Sequence, residues 1–166
     1  MKVKLFNISL ILFLITVFSC AGNNKTAKHT PKVNNATYQK NCSTCHFAYQ
    51  PGLLPAGAWK ALLEKTDAHA GGPFSFDDKT MNEIKNYLIM NSAEKSGWEK
   101  AGKILSSTIS ETPVRISEIS YIKRKHWGVR NSIFQRSSIG SRGNCIACHK
   151  SAETGLYDED DVKIPD

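Results

Sequence analysis

The 166-residue chain is predicted to be all-helical, on three observations. Apolar residues recur at helical spacing in several windows. No run alternates apolar and polar residues as a half-buried strand would. Neither of the two Cys-x-x-Cys-His segments, at residues 42–46 and 145–149, sits in β-rich sequence.

Taken in order, Ala36 to Asn41 leads into the first of those segments as a short helix. Ala48 to Pro55 holds Pro51, Gly52 and Pro55, which makes it a loop. Trp59, Leu62 and Leu63 mark a helix between Gly57 and Thr66. Asp77 and Asp78 open a longer helix whose Met81, Ile84, Tyr87 and Leu88 share one face. A further short helix carries Trp98, Ala101 and Leu105. Ser106 to Arg115 is polar, contains Pro113 and reads as a connector. Ile119, Ile122 and His126 follow at i, i+3 and i+7, which on a helix point one way. A Ser-, Gly- and Arg-rich stretch from Ser137 to Asn144 precedes the second segment, and only seventeen residues come after it. That remainder is too short for an independent core, so the C-terminal part needs something else to fold around.

The two pentads, Cys42-Ser43-Thr44-Cys45-His46 and Cys145-Ile146-Ala147-Cys148-His149, supply it. Each is the attachment signature of a c-type haem. The cysteines form thioethers with the porphyrin vinyl groups and the adjacent histidine ligates the iron. The spacing lets one helical turn reach both vinyls and leaves the next side chain under the metal. A zinc site would bring its second cysteine pair roughly 15–20 residues after the first, whereas Cys45 and Cys145 lie 100 positions apart, each pair with its own histidine. The reading is two covalently attached haem c groups, with His46 and His149 as proximal ligands.

The second axial position decides the chemistry. A closed iron carries electrons; an open one binds gases or reacts. His29 lies in a polar segment near the N-terminus and is a poor candidate. His69 and His126 remain, two histidines for two haems, and the competitors are Met81 and Met90 on an apolar helical stretch where methionine is commonly core filler. With His69 and His126 on the iron, both haems are bis-histidine and of low potential, with no site for peroxide or oxygen.

The N-terminus reads as a secretory signal: Lys2 and Lys4, then an apolar run from Leu5 to Phe18, too short for a spanning helix. Val17-Phe18-Ser19-Cys20 looks like a lipoprotein cleavage box, with ordinary cleavage after Ala21 as the alternative. Cys20, the fifth cysteine, is then the lipidated residue. The expected division is a signal peptide over 1–19, a flexible tether over 20–35, a first haem lobe over 36–105 and a second over 106–166. The tether is Asn-, Lys- and Thr-rich, with too little apolar surface to order itself. The protein is expected on the periplasmic side of a membrane, anchored by lipid.

Net charge is +7, and +5 without Lys2 and Lys4. Residues 115–150 hold Arg115, Lys123, Arg124, Lys125, Arg130, Arg136, Arg142 and Lys150 against Glu118 alone, while the tail from 151 is acidic. Such a basic face suits nucleic acid in principle, but an exported haem protein rarely meets any, so no nucleic-acid partner is expected. An acidic redox partner or the haem propionates fit better.

Several of these residues also resemble a known family. The first pentad with Ala48-Tyr49, Pro51, Leu53-Leu54-Pro55 and Trp59, the surroundings of His69, the Arg115 to His126 segment, and Asn144 to His149 with Ala152-Glu153, Gly155 and Ile164-Pro165 are similar to the bacterial dihaem cytochromes c. The resemblance covers roughly residues 36–166. It implies a small cytochrome c-like helical lobe and a C-terminal haem lobe with little regular structure. It further implies bis-histidine ligation, His69 for the first haem and His126 for the second, and electron transfer without enzymatic turnover. The partners it implies are a membrane b-type cytochrome or another cytochrome, including oxygen-binding monohaem cytochromes c. The chain departs from the family at Ala70-Gly71-Gly72, where an aromatic residue commonly follows the histidine, and at Trp127-Gly128, where charged residues are usual. The alternatives from other classes are a small peroxidase-like haem enzyme and a gas or redox sensor, each with one open iron.

Overall fold

The computed structural model describes residues 27–69 and 72–166. The signal segment, Cys20, the first part of the expected tether and the Ala70-Gly71 departure lie outside the described residues. Among those described, the secondary structure is helical throughout, with two isolated backbone bridges, Ala27 with Trp98 and His149 with Val162, and no strand.

The first helix, α1 (Ala36–Cys42), starts where the Asn35 side chain accepts a bond from the Tyr38 N–H at 2.6 Å, satisfying a donor that the helix cannot use itself. α2 (Ala56–Glu64) follows a proline-initiated turn at Pro51–Leu53. α3 (Asp78–Met90) is capped by Asp77, whose carboxylate accepts from the Thr80 hydroxyl at 2.7 Å and N–H at 2.9 Å. Those bonds hold the Asp77 carboxyl below its ordinary pKa. α3 packs on both α1 and α2. Its Ile84 and Leu88 are fully buried, as their shared face predicts, with Met81 and Tyr87 partly covered. α4 (Ala101–Ser106) adds Ile104, also fully buried. Complete burial of side chains such as Leu54, Ile84, Leu88 and Ile104 is worth roughly 1.5–3 kcal/mol each, so the helices around the first pentad have a core of their own.

The second half is built differently. α5 (Ser120–Lys125), α6 (Asn131–Phe134) and α7 (Cys145–Cys148) are short. The division expected near residue 105 is crossed by the core, because Ile119 and Tyr121 are buried in the same cluster as Trp59, Ile84 and Ile104. From residue 127 onward, the buried apolar side chains are Ile139, Ala147 and Ala152.

Residues 27–35 also differ from the flexible segment that composition predicts. Ala27 exchanges backbone bonds with Gly97 and Glu99 at 2.9 Å, and the Thr30 N–H reaches the Gly155 carbonyl at 3.1 Å, with Thr30 wholly buried. Composition counts apolar surface and misses this, since backbone groups do the holding. The strap therefore crosses from the first half to the second.

Candidate functional site

The two pentads adopt different backbones. In the second, Cys145–Cys148 forms one helical turn, as the spacing predicts. In the first, α1 stops at Cys42 and the rest of the pentad bends. Ser43 stands at this end: its N–H makes the last helical bond to the Gln39 carbonyl at 3.1 Å, and its hydroxyl donates to the same oxygen at 2.5 Å. None of the four pentad cysteines is joined in a disulfide, and Cys45 is the exposed one.

Folding brings the four candidate histidines into two pairs. The His46 and His69 ring centroids are 6.0 Å apart with planes at 33°. Those of His126 and His149 are also 6.0 Å apart, at 78°. Imidazoles that each bond one metal at about 2 Å have centroids about 6 Å apart, so both pairs leave the gap an iron would fill. His69 is delivered by the turn Thr66–Ala68, and His126 stands at the C-terminal cap of α5. Met81 and Met90 are placed elsewhere: Met81 packs against the core, and Met90 is exposed on α3. His29 is exposed on the strap.

The pairs face one continuous cavity of about 1470 Å³, lined by Cys45, His46 and His69 at one end and by Cys145, Cys148 and His149 at the other. Cys42 lies against the core instead. Its walls include Trp59, Phe134 and Ile139, an apolar enclosure suited to a flat aromatic group.

The ring nitrogens show which atom is available. His46 Nδ1 lies 2.8 Å from the Phe47 carbonyl and His126 Nδ1 lies 2.8 Å from the Ile122 carbonyl. A carbonyl oxygen only accepts, so each Nδ1 carries the hydrogen and Nε2 is left as the lone-pair donor. Burial, then repulsion by His46, holds His69 below the ordinary imidazole pKa; burial, then His126, does the same for His149. Both are therefore held toward the neutral form that binds metals. The His149 Nδ1 is buried without a hydrogen-bond partner in the protein.

Three residues connect the two ends: Tyr49, which the sequence marks only as part of the family resemblance, and Gln50 and Tyr157, which it does not single out. The Tyr49 ring lies 4.7 Å from that of His46, and its hydroxyl donates to the Gly143 carbonyl at 2.5 Å, two residues before Cys145. Gln50 is fully buried and its amide donates to the Ala152 carbonyl at 2.6 Å. Its carbonyl accepts from the Tyr157 hydroxyl at 2.6 Å, and the Tyr157 ring lies 5.7 Å from His149. A Tyr-Gln pair beginning three residues after His46 was the available signal, though its partners lie about a hundred positions away in sequence and could not be read there.

Comparison with known proteins agrees with this arrangement. A family described as dihaem cytochrome c matches residues 38–157. The chain is similar to a diheme cytochrome c from Rhodobacter sphaeroides, at 37% identity over 76% of this chain and 99% of that one, with a TM-score of 0.66. It is also similar to a diheme cytochrome type c from Shewanella baltica, at 32% identity over 79% and 93% of the two chains, with a TM-score of 0.64. No curated protein matches it. The family match spans most of the chain and both solved structures exceed 30% identity, and so the chain belongs to the dihaem cytochrome c family, whose members hold two covalently attached haem c groups.

Proposed function

We propose that the protein is an electron carrier in which both irons are closed by histidine, His46 with His69 on the first haem and His126 with His149 on the second. The two ring pairs at 6.0 Å, each beside its own pentad, carry this reading. Cys42 with Cys45, and Cys145 with Cys148, hold the porphyrins by thioether bonds. Bound haem supplies a one-electron ferric–ferrous couple. The chain orients four imidazoles, whose ligation on both faces of each iron favours a low potential, and it keeps His69 and His149 toward the neutral form that binds metals. Tyr49 fixes the distance between the two ends by bonding across them. Among the described residues no helix is long and apolar enough to cross a membrane. Export to the periplasmic side and attachment by lipid at Cys20 are part of the proposal, as are redox partners of the cytochrome class.

Spectroscopy of the purified ferric protein tests it. Low-spin spectra at both haems, unchanged by cyanide or azide and by carbon monoxide after reduction, are expected. His69→Ala or His126→Ala should turn one haem high-spin and leave the other as it was. A high-spin signal or rapid ligand binding in the unaltered protein would sink the closed-iron reading and favour an enzyme or gas sensor. If neither substitution changes either spectrum, the ligand assignment is wrong.

A further inference from the structure

The cations near His126 have different employments. Lys125 is paired with Glu159, and Arg115 with Glu118 at 3.2 Å. Arg142 lies over the Phe134 ring at 4.2 Å, and Arg136 donates to the Pro165 carbonyl at 2.6 Å. Lys123 lines the haem cavity. Arg124 and Arg130 are left over: exposed, outside the cavity lining, and without a carboxylate partner among the described residues.

Between them in the chain stands Trp127, the residue after His126. It is 87% exposed, yet it also borders the cavity. Trp and Arg are the residue types that dominate binding energy at protein interfaces. Two uncompensated guanidinium groups would steer a negatively charged partner toward the indole before contact.

We propose that Trp127, flanked by Arg124 and Arg130, is the docking surface for an acidic electron-transfer protein, which exchanges electrons with the second haem. The proposal rests on the electron-carrier reading above and adds where the partner sits. One electron passes per encounter: a reduced partner is oxidised, the iron between His126 and His149 is reduced, and no bond forms or breaks.

The test uses the holoprotein and a defined acidic donor, a flavodoxin in its hydroquinone form, mixed by stopped flow at ionic strengths from about 10 to 300 mM, across which the screening length shortens several-fold. The rate for the unaltered protein should fall about tenfold over that range. Arg124→Glu combined with Arg130→Glu should lower the low-salt rate about tenfold and flatten the salt dependence, with both reduction potentials unchanged. Trp127→Ala should slow transfer at every ionic strength while keeping the slope. Lys40→Glu with Lys79→Glu, the same charge change on α1 and α3, should leave the rate near that of the unaltered protein. The proposal is overturned if this control slows transfer equally, since net charge alone would then be responsible. It also falls if the arginine variant shifts the second haem's potential and not the salt slope, which assigns those arginines to the propionates, or if Trp127→Ala is without effect. Sedimentation velocity adds a further arm: a dimer abolished by Trp127→Ala would make this a contact between copies and end the proposal. Failure of the carrier reading is seen separately, as a high-spin ferric spectrum before any donor is added.

Discussion

Four imidazoles at matching distances occupy unequal surroundings. His46 and His126 each donate Nδ1–H to a carbonyl at 2.8 Å, whereas the His149 Nδ1 is buried with no partner in the protein. A bonded Nδ1–H makes the ring a more basic ligand and favours ferric iron. The second haem, with one ring lacking that bond, is therefore expected to be the more easily reduced. The ring planes supply the label needed to check this. With the proposed bis-histidine ligation, ring planes at 33° would split the iron orbitals and give a rhombic low-spin resonance, while planes at 78° would leave them nearly degenerate and give a large maximum g value. Electron paramagnetic resonance followed through a reductive titration should show both signals, with the large-g signal lost first. Loss of the rhombic signal first would contradict the ordering. The pentads and the count of histidines outside them were legible at this scale. The nitrogen partners were not, because they depend on where local backbone carbonyls turn.

At the scale of elements, helices with their own signals were read well. Asp77 opens α3, and Ile84 and Leu88 face inward as their spacing requires. Low apolar content predicts a flexible segment over 20–35, but it says nothing about backbone bonding, and backbone bonds hold residues 27–35. The strap's crossing point is narrow. Gly155 has φ +83°, and a methyl group there would sit 2.0 Å from the Thr30 carbonyl oxygen; one at Gly52 would meet the Thr30 hydroxyl at 2.5 Å. Gly155→Ala is therefore expected to destabilise the holoprotein by about 2–4 kcal/mol, from the combined backbone strain and overpacking. Gly57→Ala, in open space within α2, should be neutral or stabilising by up to about 1 kcal/mol. Chemical denaturation of both variants checks this. Equal midpoints for the two would show that the strap is not held at Gly155.

Across the whole molecule the apolar core is lopsided. Leu54, Ile84, Leu88, Ile104 and Ile119 are fully or almost fully buried around the first half, while the segment after residue 127 surrounds a cavity with few buried side chains of its own. The second haem thus takes the place of a core there. A Cys145→Ser, Cys148→Ser protein, with the second haem unattached, should lose protease protection between residues 127 and 150 and keep it across α1 to α3. Limited proteolysis with mass analysis of the fragments reads this directly. Uniform loss of protection would mean that the two halves fold as one unit.

The sequence by itself determined the two haem sites and the helical class, because Cys-x-x-Cys-His is a local chemical requirement and helical periodicity is a local pattern. It also narrowed the distal candidates to His69 and His126 by count. Only the tertiary structure brought each histidine beside its pentad, tied the two ends together through Tyr49, Gln50 and Tyr157, and held residues 27–35 to the fold. Those facts rest on contacts between groups far apart in the chain, and such contacts exist only once the chain has closed on itself.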